Sequence, residues 1–280
     1  MRHRIGFMQG RLVDRVGGKI QAFPAEQWRD EFLAAQRLAL GMMEWTLDHD
    51  AMEENPFCTS NGQDEILELG TRYGVRVPSL TGDCFMQAPF WKSQGAERTQ
   101  RLHALDLVIA SCARLKVQFI VIPLVDNGKL DNTKQTEVLV KHLLARAKTC
   151  ERAGIKIVFE SDYDPESLRE FIALFPEEVF GVNYDIGNSA SLGFNPLHEF
   201  TAYGSRVMNV HMKDRLIGGT TVPLGTGNAQ FDKVMKGLAL VSYGGNIILQ
   251  TARAVDNDHA AVLARYAELT QQLMERYLEP

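Results

Sequence analysis

A single (β/α)8 barrel is the fold this sequence predicts, on three observations. Short apolar runs alternate with amphipathic stretches from one end to the other, the alternation repeats eight times, and 280 residues is close to the length such a barrel occupies. No linker, low-complexity tract or charge block divides the chain, so residues 1–280 read as one domain.

The first apolar run, 5–8, is closed by Gln9 and Gly10. A polar loop then leads to Pro24, which opens a helix whose Trp28, Phe32, Ala35 and Leu38 recur at helical spacing. A second run, 42–47, precedes a loop with Asn55 and Pro56 and a helix over 62–73. The third, 75–80, leads into the aromatic loop TGDCFMQAPFWK, which reads either as a lid over the barrel mouth or as a loop packed flat on it. A helix over 95–115, a strand over 118–123 and a helix over 134–153 complete the first half. In the second half, strands at 155–159, 180–184, 207–210 and 246–249 alternate with helices opened by Pro165, near Pro196, at Phe231 and at about Asp256. Gly154, Gly204 and the pair Gly244-Gly245 stand just before strands, where helices are stopped. No GxGxxG turn follows the first strand, so nothing favours a dinucleotide-binding doubly wound sheet.

Composition narrows the function classes. The chain is 45% hydrophobic and 23% charged with a net charge of -5, so no basic surface recommends nucleic acid. The four cysteines, Cys58, Cys84, Cys112 and Cys150, form no CxxC pair and read as buried free thiols. The N-terminal apolar run is too short for a signal peptide, and no segment approaches a membrane span of about 18 apolar residues. The expected setting is the cytoplasm, with no membrane partner.

In a parallel barrel, chemistry gathers at the carboxyl ends of the strands. Four consecutive runs, IKIVFE, FGVNYD, RVMNVH and NIILQ, end there at Glu160, Asp185, His211 and Gln250. Two carboxylates and an imidazole suit a divalent ion such as Mn²⁺, Zn²⁺, Co²⁺ or Mg²⁺, and a Gln oxygen can complete the set without adding charge. Counting back by two places Asn183 below Asp185 and Asn209 below His211 on the inward face. Such buried amides either orient the ligands or cap loops. HMKDR places Lys213, Asp214 and Arg215 in the mouth. Glu44 at the end of the second strand could bond a ligand hydroxyl, and Trp45, Phe90 and Trp91 read either as stacking platforms or as core. Arg11, Arg215 and Arg253 read either as anion contacts or as surface salt bridges.

FES, NYDIGN, NVHMKDR, VPLGTGNAQFDKV and SYGGNIILQTAR, in this order, resemble the xylose-isomerase-like TIM barrels known as sugar phosphate isomerases and epimerases. GFMQGRL, the Glu44-Trp45 pair and the final helix fit the same pattern. The resemblance implies an isomerase or epimerase that acts on a sugar, a sugar phosphate or a related ketose. It implies a single divalent ion held at Glu160, Asp185, His211 and Gln250, and Glu160 as base. It also leaves room for a homo-oligomer. The chain departs from the family pattern at Gln250, where ketose epimerases have a second glutamate, at Asn188, and at the GTG of Gly225–Gly227. An amide transfers no proton near neutral pH, so two-base epimerisation needs another residue, such as Lys213 or Asp83. The alternatives are a one-base isomerisation, a dehydratase or lyase of a polyol ketone, or a sugar-binding barrel without catalysis. The substrate contacts expected are Glu44, Arg215, Gln250 and Arg253.

Overall fold

The apolar runs pair side by side in the computed structural model, which describes residues 2–278. The barrel strands are β1 (Ile5–Met8), β2 (Met42–Thr46), β3 (Arg76–Thr81), β4 (Phe119–Leu124), β5 (Lys156–Ser161), β6 (Phe180–Asp185), β7 (Val207–Met212) and β10 (Ile247–Leu249). They close in the order β1-β10-β7-β6-β5-β4-β3-β2, parallel throughout. Between β7 and β10, β8 (Asp214–Arg215) and β9 (Thr221–Val222) form a small antiparallel ribbon over the mouth, which the sequence reading did not foresee.

Strand alternation separates two apolar regions. Met8, Met42, Val121, Val158 and Ile248 are buried and share the inward parity of Glu44, Glu160 and His211, so they fill the lumen below the polar strand ends. The outward residues pack against the helices, as in the cluster of Phe159, Phe171, Phe175 and Phe180. All four cysteines are free thiols.

Two expected elements differ. The helix predicted over 134–153 is two helices, Thr133–Leu144 and Ala147–Ala153, and an extra short helix, Ile186–Leu192, follows β6 directly. The aromatic loop after β3 is packed rather than raised. It holds a helix, Asp83–Gln87, and buries Phe85, Phe90 and Trp91, with the Trp91 indole N–H donating to the Gly128 carbonyl at 3.2 Å. No described helix is long and apolar enough to cross a membrane.

Candidate active site

The register of neighbouring strands brings the ends together. Asp185 pairs with His211, and Asn183 pairs with Asn209 one inward step below, so the two amides lie beneath the acid and the imidazole. A register shift between Val182 and Asn183 supplies the adjustment, and a second, opposite Met42 and Glu44, seats an extra residue in β3. Bulges of this kind commonly re-aim a side chain beside a site.

Glu160, Asp185 and His211 form a buried cluster whose candidate ligand atoms all lie within 4.8 Å of one another. His211 Nδ1 stands 3.2 Å from Glu160 Oε2 and 3.9 Å from Asp185 Oδ2, while Nε2 is 2.7 Å from Glu44 Oε1. Glu44 lies across the lumen, fully buried, and also accepts from the Thr81 hydroxyl and, at 3.0 Å, from Asn209 Nδ2. A carboxylate on one imidazole nitrogen fixes the ring and frees the other nitrogen for an ion. The donor set and its tethering therefore fit a divalent cation bound by Glu160, Asp185 and His211.

The two inward amides orient this centre. Asn183 Nδ2 donates to Glu160 Oε2 at 3.0 Å, and its oxygen accepts from Asn209 at 2.8 Å. Asp185 divides its carboxylate between two tasks: Oδ1 accepts the Asn188 backbone N–H at 2.8 Å and caps the helix Ile186–Leu192, while Oδ2 accepts from Lys213 at 3.0 Å. Lys213 Nζ also donates to Gln250 Oε1 at 3.1 Å, so an ammonium bridges Asp185 and Gln250. Gly187 lets the lysine pass: a Cβ there would stand 2.6 Å from Lys213 Cγ.

Burial disfavours the charges of His211, Glu44, Glu160 and Asp83, and the neighbours decide the outcome. For His211 the charge of Glu44 and the bonds to Glu160 and Glu44 outweigh burial and hold the imidazolium up to about 10, from the ordinary 6.5. Burial alone would raise Glu44 and Glu160, yet His211 holds both below the usual carboxylate range, with Lys213 adding to the effect on Glu160. Asp83 has no such cation in contact, and burial pushes its carboxyl up to about 7 despite a bond from Gln21.

The remaining candidates separate. Arg215 donates from Nη1 to Asn188 Oδ1 at 2.8 Å and from Nη2 to the Gly219 carbonyl at 2.8 Å, and Asn188 Nδ2 donates to Glu160 Oε1 at 2.7 Å. Asp214, in ribbon strand β8, is buried and accepts backbone N–H groups of Gly225, Gly227 and Ala229, which pins the GTG loop. Arg11 and Arg253 are buried and donate to main-chain carbonyls, Arg11 to Thr251 and Ile20 and Arg253 to Gly10 and Val13. Together with Glu31, which accepts the N–H groups of Gly10 and Leu12, they shape the loop after β1. Trp45 points outward into Phe23, Trp28 and Phe57. Gln21 was not foreseen. It follows a loop with no periodicity, yet it accepts from Gln250 Nε2 at 2.9 Å and donates to Asp83 Oδ2 at 2.8 Å.

Comparison with known proteins agrees with this architecture. A family model described as xylose isomerase-like TIM barrel matches residues 32–272. No curated protein matches the chain in sequence. Among solved structures, D-allulose 3-epimerase from Methylomonas sp., in complex with D-allulose, is similar with a TM-score of 0.75 at 16% identity over 96% of both chains. D-psicose 3-epimerase with D-tagatose from Clostridium cellulolyticum gives 0.73 at 14% identity over 99% of this chain and 100% of that one. The IolI protein with a bound zinc atom gives 0.72 at 15% identity, over 99% of this chain and 100% of that one.

Proposed function

The chain belongs to the xylose isomerase-like TIM-barrel family, and on that premise we propose that it is a divalent-metal-dependent isomerase or epimerase. It moves a proton on a carbon beside the carbonyl of a sugar or related ketose. The observation that carries this reading is the convergence of Glu160, Asp185 and His211 with Lys213 Nζ 3.0 Å from Asp185. The zinc of the IolI structure and the ketoses in the two epimerase structures support the ion and the substrate class. An unphosphorylated ketose fits best, because Arg11 and Arg253 are spent on main-chain carbonyls and leave no guanidinium pair for a phosphate.

An ion held by Glu160, Asp185, His211 and Gln250, whether Mn²⁺, Zn²⁺, Co²⁺ or Mg²⁺, would supply the Lewis acid that stabilises negative charge on the substrate oxygens. The chain's own residues do the rest. Asn183 and Asn188 hold both oxygens of Glu160, which fixes the carboxylate as the base. Gln250 returns no proton, but Lys213 stands against its oxygen and takes the acid role on that side. Burial of the centre limits competing water. The same base and ammonium would serve loss of water from a polyol ketone, and the product tells the two reactions apart.

The test incubates the protein with Mn²⁺ and a panel of ketoses in heavy water. Deuterium on the carbon beside the carbonyl, lost in Glu160→Gln, is the expected result. Dehydrated product would assign the lyase reaction. Neither exchange nor ion binding, with ketose still bound, would leave a sugar-binding barrel and end the enzyme reading.

A further inference from the structure

Four side chains form one hydrogen-bonded row across the mouth. Asp83 Oδ2 accepts from Gln21 Nε2 at 2.8 Å, Gln21 Oε1 accepts from Gln250 Nε2 at 2.9 Å, and Gln250 Oε1 accepts from Lys213 Nζ at 3.1 Å. They come from three loops and a strand end: Gln21 follows β1, Asp83 follows β3, Lys213 follows β7 and Gln250 follows β10. An amide has a donor end and an acceptor end, and either could face the centre. The ends of the row remove that freedom. An ionised carboxylate only accepts and an ammonium only donates, so Gln21 turns its nitrogen to Asp83 and its oxygen to Gln250. Gln250 then turns its nitrogen to Gln21 and its oxygen toward Lys213. Arg11 Nη2, another obligate donor, approaches Gln21 Oε1 at 3.3 Å and enforces the same direction.

We infer that Asp83 is a positioning residue: through Gln21 it fixes the Gln250 amide with its oxygen toward the cationic centre, which is what lets a glutamine stand as an uncharged donor there. The inference rests on the proposed ion site for its second consequence but not for its first. The row exists in the chain itself, with Lys213 as the cation. A parallel row supports the device. Arg215 and Lys213 donate to Asn188 Oδ1, and Asn188 Nδ2 donates to Glu160, so that amide too is polarised between cation and carboxylate. Burial raises Asp83 to about 7, so at pH 8 it is mainly ionised and acts as an acceptor.

Two measurements at pH 8 on the full chain test the assignment. In the metal-free protein, ¹⁵N NMR should find the Gln250 side-chain amide protons protected from exchange, and both Asp83→Ala and Gln21→Ala should release them at least tenfold. Unchanged protection in Gln21→Ala, which removes only a half-buried side chain, overturns the row. The second measurement is Mn²⁺ affinity by calorimetry. Asp83→Ala is expected to weaken it by about tenfold or more, and Asp83→Asn by less, because its amide oxygen can still accept from Gln21. In a Gln250→Glu background, where either oxygen can face the ion, Asp83→Ala should cost nothing. An equal loss in both backgrounds would mean that Asp83 acts only by its charge and would overturn the inference. If the wild-type chain binds no Mn²⁺ while the NMR result holds, the ion reading fails and the positioning by Asp83 stands.

Discussion

The two halves of the barrel mouth are built by different rules. On the side of β5, β6 and β7, Glu160, Asp185 and His211 are charged, buried and braced by Glu44, Asn183 and Asn209. On the side of β10 and β1, Gln250 and Gln21 are neutral and gain direction from Asp83 and Lys213 at the ends of their row and from Arg11 beside Gln21. Opposite charges at contact distance in a poorly hydrated site interact strongly, and each supports the others. Amides offer no such field and need an external reference. On the proposed function, the charged ligands and the base belong to the first half, and the second half adds a neutral ligand whose direction is set by its neighbours.

Removing the base breaks the first half most severely. Glu160→Gln should lower deuterium exchange by about 10³-fold or more, and its loss of Mn²⁺ affinity should accompany that fall. Retained exchange would move the base elsewhere. Lys213→Met divides the two halves, because the side chain serves each differently. Exchange should fall by about 10²-fold with the acid gone, whereas Mn²⁺ affinity should rise, since the ammonium at Asp185 Oδ2 no longer competes for that oxygen. If both quantities fall, Lys213 supports the site rather than competing for it.

Smaller effects probe the bracing. Glu44→Gln leaves the shape intact but weakens the acceptor on His211 Nε2, so Mn²⁺ affinity should drop by about 10-fold to 100-fold. The pH dependence follows from the same contact. His211 is raised from 6.5 to about 10, so its proton stabilises the metal-free fold fully below about 6.5, and that contribution is lost as the pH rises through about 10. To be held at Nδ1, an ion would have to displace the proton there. Affinity should therefore increase by about tenfold per pH unit toward 10, with about one proton released per ion. Calorimetry in buffers of different ionisation enthalpy measures that release directly, and a pH-independent affinity between 6 and 8 would refute the assignment of Nδ1.

The barrel and its first half were legible because both follow from local patterns. Alternation with a period of two places Glu160, Asp185 and His211 at adjacent strand ends, and the family resemblance repeats them. Glu44 was half legible. Alternation forbids Glu44 and Trp45 from sharing a face, and that rule alone could have sent Trp45 to the core, where it packs on Trp28. The partner of Glu44 was hidden, because His211 is 167 residues away and meets it only across the closed barrel. Gln21 was hidden for a similar reason. It lies 229 residues from Gln250, in a loop whose path is set by Arg11, Arg253 and Glu31 through main-chain contacts that leave no periodic trace. The arginines read as anion contacts or surface salt bridges because mouth position is visible in sequence, whereas capture by a carbonyl is not.

Restoring the charge at position 250 gives the smallest effect and the finest distinction. Gln250→Glu adds an anionic oxygen beside Asp185, which favours a divalent ion, but it also gives Lys213 a carboxylate partner that resists displacement. Gln21 must then turn its nitrogen to the new carboxylate and its oxygen to Asp83, which sets two acceptors against each other. These costs oppose the gain, so Mn²⁺ affinity should rise only by about two- to fivefold, well below the tenfold step that 1.4 kcal/mol represents. Removing Asp83 as well should release the opposed contact, so Gln250→Glu combined with Asp83→Ala is expected to bind Mn²⁺ at least as tightly as Gln250→Glu alone. A double variant that binds more weakly would show that the neutral half contributes by charge rather than by direction, and the contrast between the two halves would fall.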